Sequence, residues 1–265
     1  MDKKILVIGL DGARADATRV ANTPNIDKLV KNGRVSWHAQ TELRSISGPA
    51  WTSLLTGVHM EKHMVDGNDN MRKKLRSPTI FKIAKEWNPS VITVAHSNWK
   101  PIVTKIIEEG TLDKSSGGES DKKTTLRLVE DIKNGTGDFY FAQLDEIDAA
   151  GHKHVYSPDS KKYLKKIEEI DGYIGKIMET VACRPSEEDW LVCLVSDHGG
   201  SGRGHGGPTL GELTIIFIVS GDPVKEKGEI PGDEESSPRI VDIVPTIAEF
   251  LGIPAKKEWD GRSYL

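Results

Sequence analysis

Six acidic and imidazole side chains occur where apolar runs of the chain give way to polar or glycine-rich sequence. Asp11 lies in VIGLDGAR, Asp148 and His152 in QLDEIDAAGH, and Asp197, His198 and His205 in LVSDHGGSGRGHGG. The apolar run before each reads as a strand. In an open α/β sheet the carboxyl ends of the strands form the ligand crevice, so the three points are expected to converge. Six polar groups crowded there need a common partner, and a divalent cation is the economical one. Mixed imidazole and carboxylate ligation favours zinc, with manganese or another transition metal as the alternative, and argues against an all-oxygen calcium site. The glycines of HGGSGRGHGG let the backbone turn tightly enough for His198 and His205 to face different ions.

A seventh group is Ser47, in SISGPAWTSLLTG. Pro49 suits the first position of a helix, and Trp51, Leu54 and Leu55 supply its apolar face, which places Ser47 just outside the helix start. A serine there either caps the helix or presents its hydroxyl beside unpaired amides that suit an anion. Local sequence leaves both roles open. Asn68, in HMVDGND, reads locally as a turn residue.

The elements that must position these groups are legible as alternating runs. Strands are expected over 5–10, 91–96, 138–144, 190–196 and 213–221, and helices over 23–33, 77–87, 157–181 and 237–252. In the third helix Leu164, Ile167, Ile170, Ile174 and Ile177 form one buried stripe. Continuous apolar strands alternating with helices predict an α/β fold, a mostly parallel central sheet with helices on both faces. The polar segments 108–125 and 225–238 read as a mobile surface loop and a solvated turn.

The chain has 265 residues, expected to form a single domain spanning 1–265, and a net charge of −4 with no basic stripe for a nucleic-acid polymer. Its two cysteines, Cys183 and Cys193, form neither a Cys-x-x-Cys pair nor a disulfide framework. The first apolar run is too short for a membrane span and has no cleavage site, so a cytoplasmic location is expected.

Together GLDGAR, TPNIDKLVKNG, SGPAWTSLLTG, DAAGH, SDHGG, GHGG and VDIVPTIAEFLGIPAKKEWDGRSYL resemble the alkaline phosphatase superfamily from end to end. The likeness is greatest to its nucleotide pyrophosphatase/phosphodiesterase and sulfatase-like branches. The resemblance implies a three-layer sandwich and two metal ions, most simply zinc. Asp11, Asp197 and His198 fall on the ligands of the metal that also holds the nucleophile, Ser47, and Asp148, His152 and His205 on those of the second. It also implies that Asn68 hydrogen-bonds a non-bridging phosphoryl oxygen.

A serine hydroxyl is a poor nucleophile at neutral pH, and zinc stabilises its alkoxide much as it lowers the pKa of water from about 16 to about 7. The implied activity is therefore hydrolysis of small phosphate esters, foremost diesters, through a phosphoserine intermediate. A phosphomonoesterase, a phosphonate hydrolase, a sulfatase and a binding protein that has lost catalysis are the alternatives. Sulfatases of this superfamily carry Cys/Ser-x-Pro-x-Arg at the nucleophile, and here Trp51 stands in place of the Arg, which argues against formylglycine. Arg44 and Lys100 are the nearest candidates for a cation facing a monoester.

Overall fold

The computed structural model describes residues 2–69, 71–233 and 236–265. Its eight strands are β1 (Asp2–Leu10), β2 (Gly33–Gln40), β3 (Thr93–Ser97), β4 (Lys114–Gly117), β5 (Phe139–Leu144), β6 (Glu188–Ser196), β7 (Thr214–Ser220) and β8 (Gly228–Glu229). They form one sheet in the order β4-β3-β5-β1-β6-β7-β2-β8, in which β7 alone runs against its neighbours. The helices that matter here are α1 (Pro24–Lys31), α2 (Ser47–Thr56), α3 (Ile80–Trp87), α4 (Asp121–Asn134), α5 (Glu146–His154), α6 (Lys161–Ala182) and α7 (Ile243–Leu251).

Alternation along β1 shows why the sheet is covered twice. Ile5 and Val7 enter a core with α2, α3 and α7, whereas Leu6, Ile8 and Leu10 enter a second core with α1, α4, α5 and α6. Every one of these β1 side chains is at most 1% exposed, so neither face tolerates a polar residue. The expected stripe of α6 is buried through Ile167, Ile170, Ile174 and Ile177, with Leu164 partly buried at its edge.

The sequence reading of 108–125 as a mobile loop is corrected. Residues Lys114–Gly117 form the edge strand β4, paired in parallel with β3, and α4 begins at Asp121. The KSSG stretch carries no apolar signal because its side chains are exposed or half-buried, and pairing rests on its backbone. β2 and α4 were likewise not anticipated. In 225–238, Gly228–Glu229 pairs with Arg34 and Val35, while Glu234 and Glu235 lie outside the described residues. The 237–252 helix resolves into a 3-10 turn, Ile240–Asp242, followed by α7.

Topology explains the convergence of the acidic groups. β1 lies between β5 and β6, and Leu10 is in register with both Leu144 and Ser196. Residues 11, 145 and 197 therefore leave the sheet side by side.

Candidate active site

Asp11 continues the ladder beyond β1, its N–H donating to the Leu144 carbonyl at 2.8 Å. Gly12 follows in the left-handed region, φ +67°, and a Cβ there would lie 2.6 Å from Asp148 Oδ1 and 2.8 Å from Asp148 Cα. Only glycine lets the β1 turn and α5 approach this closely. Asp148 and His152 sit one turn apart on α5, which places them on one face. The start of α5 is held from outside, because the Asp121 carboxylate accepts the N–H groups of Asp145 and Glu146 at 2.8 Å each.

The six groups come together. The ligand atoms of Asp11, Asp197 and His198 lie within 4.8 Å of one another, as do those of Asp148, His198 and His205. His198 is thus common to both clusters, and its ring stacks on that of His205 at 3.9 Å. His152 joins through Asp148, with Nε2 3.3 Å from Oδ2. The ligand division implied by resemblance places His152 in the second triad, where the tightest grouping in this structure has His198.

Each imidazole offers the same face inward. Nδ1 is engaged by a backbone carbonyl in all three: Arg203 for His152 at 2.9 Å, Gly199 for His198 at 2.8 Å and Ser45 for His205 at 2.7 Å. That bond places the proton on Nδ1 and leaves the Nε2 lone pair for a metal. The carboxylates are treated alike. Asp197 Oδ1 accepts from the N–H groups of Gly12 and His198, Asp11 Oδ2 accepts from Trp51 and Gln143, and Asp148 Oδ1 accepts the Tyr156 hydroxyl. Asp11 Oδ1 and Asp197 Oδ2 are buried without a hydrogen-bond partner among the described residues. Bare, buried carboxylate oxygens facing unprotonated imidazole nitrogens are a donor set for a transition metal.

Electrostatics points the same way. Burial, then the charges of Asp197, Asp148 and Asp145, push the Asp11 carboxyl well above its usual range. Asp197 is raised by burial and by Asp148, and burial lowers both His198 and His205. Positive charge is missing from this cluster, and divalent ions would supply it.

Ser47 lies in the first turn of α2 rather than outside it, and the capping position falls on Ile46, which makes no side-chain cap. Its Oγ is 3.2 Å from His198 Nε2, and the residue is 8% exposed. Asn68 is beside it. The Gly48 N–H donates to Asn68 Oδ1 at 2.8 Å, and a Cβ on Gly48 would come within 2.5 Å of the Gly67 carbonyl. The Gly48 amide, one of the amides expected at the start of this helix to suit an anion, is engaged by Asn68. Arg44 is exposed, with Nη1 3.3 Å from the Asp66 carbonyl, and the exposed Lys100 lies along Gly117 and Gly118. Asp145, Gln143 and Tyr156 belong to the cluster's surroundings and were missed. An acid directly after β5 and a Gln ending an apolar strand were the available signals.

Further along α2, Ser53 donates to Glu42 Oε1 at 2.6 Å and sits 2.8 Å from His63 Nε2, while His59 Nδ1 meets the same Glu42 oxygen at 2.9 Å. Burial raises the Glu42 carboxyl, but hydrogen bonds from His59 and Ser53 outweigh it and hold the group below its usual range. The bond to Glu42 raises His59 against the opposing effect of burial. Stability from the depressed Glu42 is present above its unfolded value near 4.3, and that from the raised His59 is complete below about 6.5 and lost as pH climbs through the folded value. Glu42→Gln is therefore expected to lower the melting temperature more at pH 6 than at pH 9, and equal losses at both would remove the ion pair from the account.

Comparison with known proteins follows the geometry. The family model described as type I phosphodiesterase / nucleotide pyrophosphatase matches residues 5–111 and 93–202. Human bis(5'-adenosyl)-triphosphatase ENPP4 is 25% identical over 215 residues, covering 74% of this chain and 47% of the relative. A 2,3-bisphosphoglycerate-independent phosphoglycerate mutase of Listeria monocytogenes is 26% identical over 150 residues, 54% of this chain and 26% of that one. The chain spans about half the length of ENPP4 and less of the mutase. Among solved structures, murine ectonucleotide pyrophosphatase/phosphodiesterase 5 in complex with AMP aligns with a TM-score of 0.79 at 14% identity, covering 96% of both chains. A 2-O GAG sulfatase aligns with a TM-score of 0.80 at 12% identity, over 99% of this chain and 73% of that one. The fold is the alkaline phosphatase-like α/β fold shared by these proteins, and the chain belongs to the type I phosphodiesterase / nucleotide pyrophosphatase family.

Proposed function

We propose that the protein is a metal-dependent phosphodiester hydrolase that works through a phosphoserine on Ser47. The observation that carries this reading is the donor set beside Ser47, in which each of the three histidines is held at Nδ1 by a backbone carbonyl with Nε2 turned into the site, and Asp11 and Asp197 each keep one oxygen bare. Asp11, Asp197 and His198, with Ser47, would hold one divalent ion, and Asp148, His152 and His205 the other, zinc being the ion this mixed set favours. When bound, such ions supply Lewis-acid stabilisation of the attacking and leaving oxygens.

The chain's own residues do the rest. Ser47 Oγ gives up its proton and forms the new bond to phosphorus as the bond to the leaving oxygen breaks in line and that oxygen takes up a proton to leave as the alcohol; water then attacks the phosphoseryl ester, restoring the Ser47 hydroxyl and releasing the phosphate monoester. The rigid start of α2 sets the direction of attack, because all ten of its residues are buried. Asn68, its carbonyl committed to Gly48, has its NH2 group to offer a non-bridging oxygen.

Substrate charge separates diester from monoester. A monoester brings close to two negative charges and calls for an added cation against its non-bridging oxygens. Asn68 is a neutral donor, and of the two candidate cations Arg44 is turned to the Asp66 carbonyl while Lys100 lies along Gly117 and Gly118. With zinc at slightly alkaline pH, kcat/KM is expected to be higher for bis-p-nitrophenyl phosphate than for p-nitrophenyl phosphate. A clear preference for the monoester would overturn the diesterase reading, and turnover of p-nitrophenyl sulfate instead would move the protein to sulfate esters.

A further inference from the structure

Trp51 stands four residues after Ser47, one turn further along α2. Its ring is fully buried and lies so close under β1 that a Cβ on Gly9 would meet Cη2 at 2.4 Å and Cζ3 at 2.6 Å. Phe141 packs against it edge-on, with ring centres 6.2 Å apart. A buried indole N–H needs an acceptor. Here the acceptor is Asp11 Oδ2, at 2.9 Å.

The same oxygen takes a second donor. Gln143 Nε2, from the end of β5, lies 2.9 Å from Asp11 Oδ2 and 3.0 Å from Asp145 Oδ1, while its Oε1 accepts the Trp99 N–H at 2.8 Å. Gln143 is itself fully buried and held at three points. Oδ2 is thus engaged by two neutral donors, whereas Oδ1 has no hydrogen-bond partner among the described residues and lies 3.6 Å from His198 Nε2. Packing alone does not require this asymmetry.

We propose that Trp51 is a positioning residue that clamps Asp11 so that Oδ1 alone faces the metal, and that couples this ligand to the nucleophile through one turn of α2. The proposal rests on the reading of Asp11 as a metal ligand. A carboxylate bound at both ends by protein and metal cannot rotate or switch to two-oxygen ligation, and neutral donors hold it without cancelling the charge that attracts the cation. Because Ser47 and Trp51 share a buried helical turn, a shift of the indole moves Oγ and Oδ1 relative to one another.

The test is zinc titration of the full chain against a chromophoric chelator, beside steady-state kinetics, for wild type and Trp51→Phe. In the variant one of two zinc affinities is expected to fall by roughly tenfold to a hundredfold, the range for lost outer-shell partners, with the other within about threefold. kcat should fall with little change in KM. Replacement of Trp51 by 3-benzothienylalanine, which keeps the ring's shape and lacks the N–H, should reproduce the loss and covers the case in which the Phe variant fails to fold. Unchanged zinc affinities in the shape-preserving variant, or equal loss at both sites, overturn the positioning role. Failure of the wild-type chain to bind zinc or manganese overturns the metal reading beneath it, a different result.

Discussion

Ser47→Ala is expected to lower turnover of a diester by on the order of 10³-fold or more while the protein stays folded and keeps two metal ions. Nucleophile removal in hydroxyl-dependent enzymes costs at least this much, since the residual rate comes only from binding and charge stabilisation. The structural cost is small, because Ser47 is not the capping residue of α2 and its side-chain hydrogen bond among the described residues is the one to His198 Nε2 at 3.2 Å. A net hydrogen bond is worth about 1 kcal/mol, or roughly 2–4 °C of melting temperature in a domain of this size. Metal content stays because Asp11, Asp197 and His198 remain around one ion and the second cluster is untouched. Burst kinetics on wild type and variant, with metal analysis of both, read out the three quantities. Near-normal hydrolysis by the purified variant would take Ser47 out of the mechanism.

The second large effect is expected from the metal itself. The site buries bare oxygens of Asp11 and Asp197 beside carboxyls that burial and mutual repulsion push upward, an arrangement that costs stability without a cation. Binding to the folded state at about 1,000 times the dissociation constant contributes about 4 kcal/mol per site, so saturating zinc should raise melting by roughly 8–16 °C for one site. Chelation should reverse the shift and stop turnover, and manganese should restore part of both. Magnesium and calcium, which prefer oxygen ligands, should shift melting much less. A chelator-treated protein that melts with the zinc-loaded one and retains activity would sink the two-metal reading.

The sensitivity of the two effects differs in origin. On the proposed mechanism, loss of Ser47 would act on the reaction, through one atom. Loss of metal would act on both reaction and fold, because the same carboxylates that would bind the ions terminate the central strands β1 and β6.

Much of this architecture is written locally. The apolar runs ending at Leu10, Leu144 and Ser196, the alternation that sends Ile5 and Leu6 to opposite cores, and the one-turn spacing of Asp148 and His152 follow from residue type and periodicity, which need no tertiary information. Residue type also made the six Asp and His candidates legible, since acids and imidazoles after buried strands need a partner. The weak edge strand β4 was not legible, because it is held by backbone pairing to β3 and by side-chain contacts of Ser116 with His96 and of Lys114 with Asp131, and periodicity along the chain carries no trace of either. Nor was the role of Trp51, which reads by spacing as one more apolar helix residue until its N–H is seen to meet Asp11.

Sequence alone determined which chemical groups are present and which strand ends carry them. Tertiary structure decided which atom of each group is left open. Gln143 reaches Asp11 across 132 positions and Gly12 reaches Asp197 across 185, and these distant donors occupy one oxygen of each carboxylate while distant carbonyls occupy Nδ1 of His152 and His205. Hydrogen-bond partners are set by the proximity of folded segments rather than by neighbours along the chain, so a binding atom's availability becomes fixed only when the sheet brings β5, β1 and β6 together.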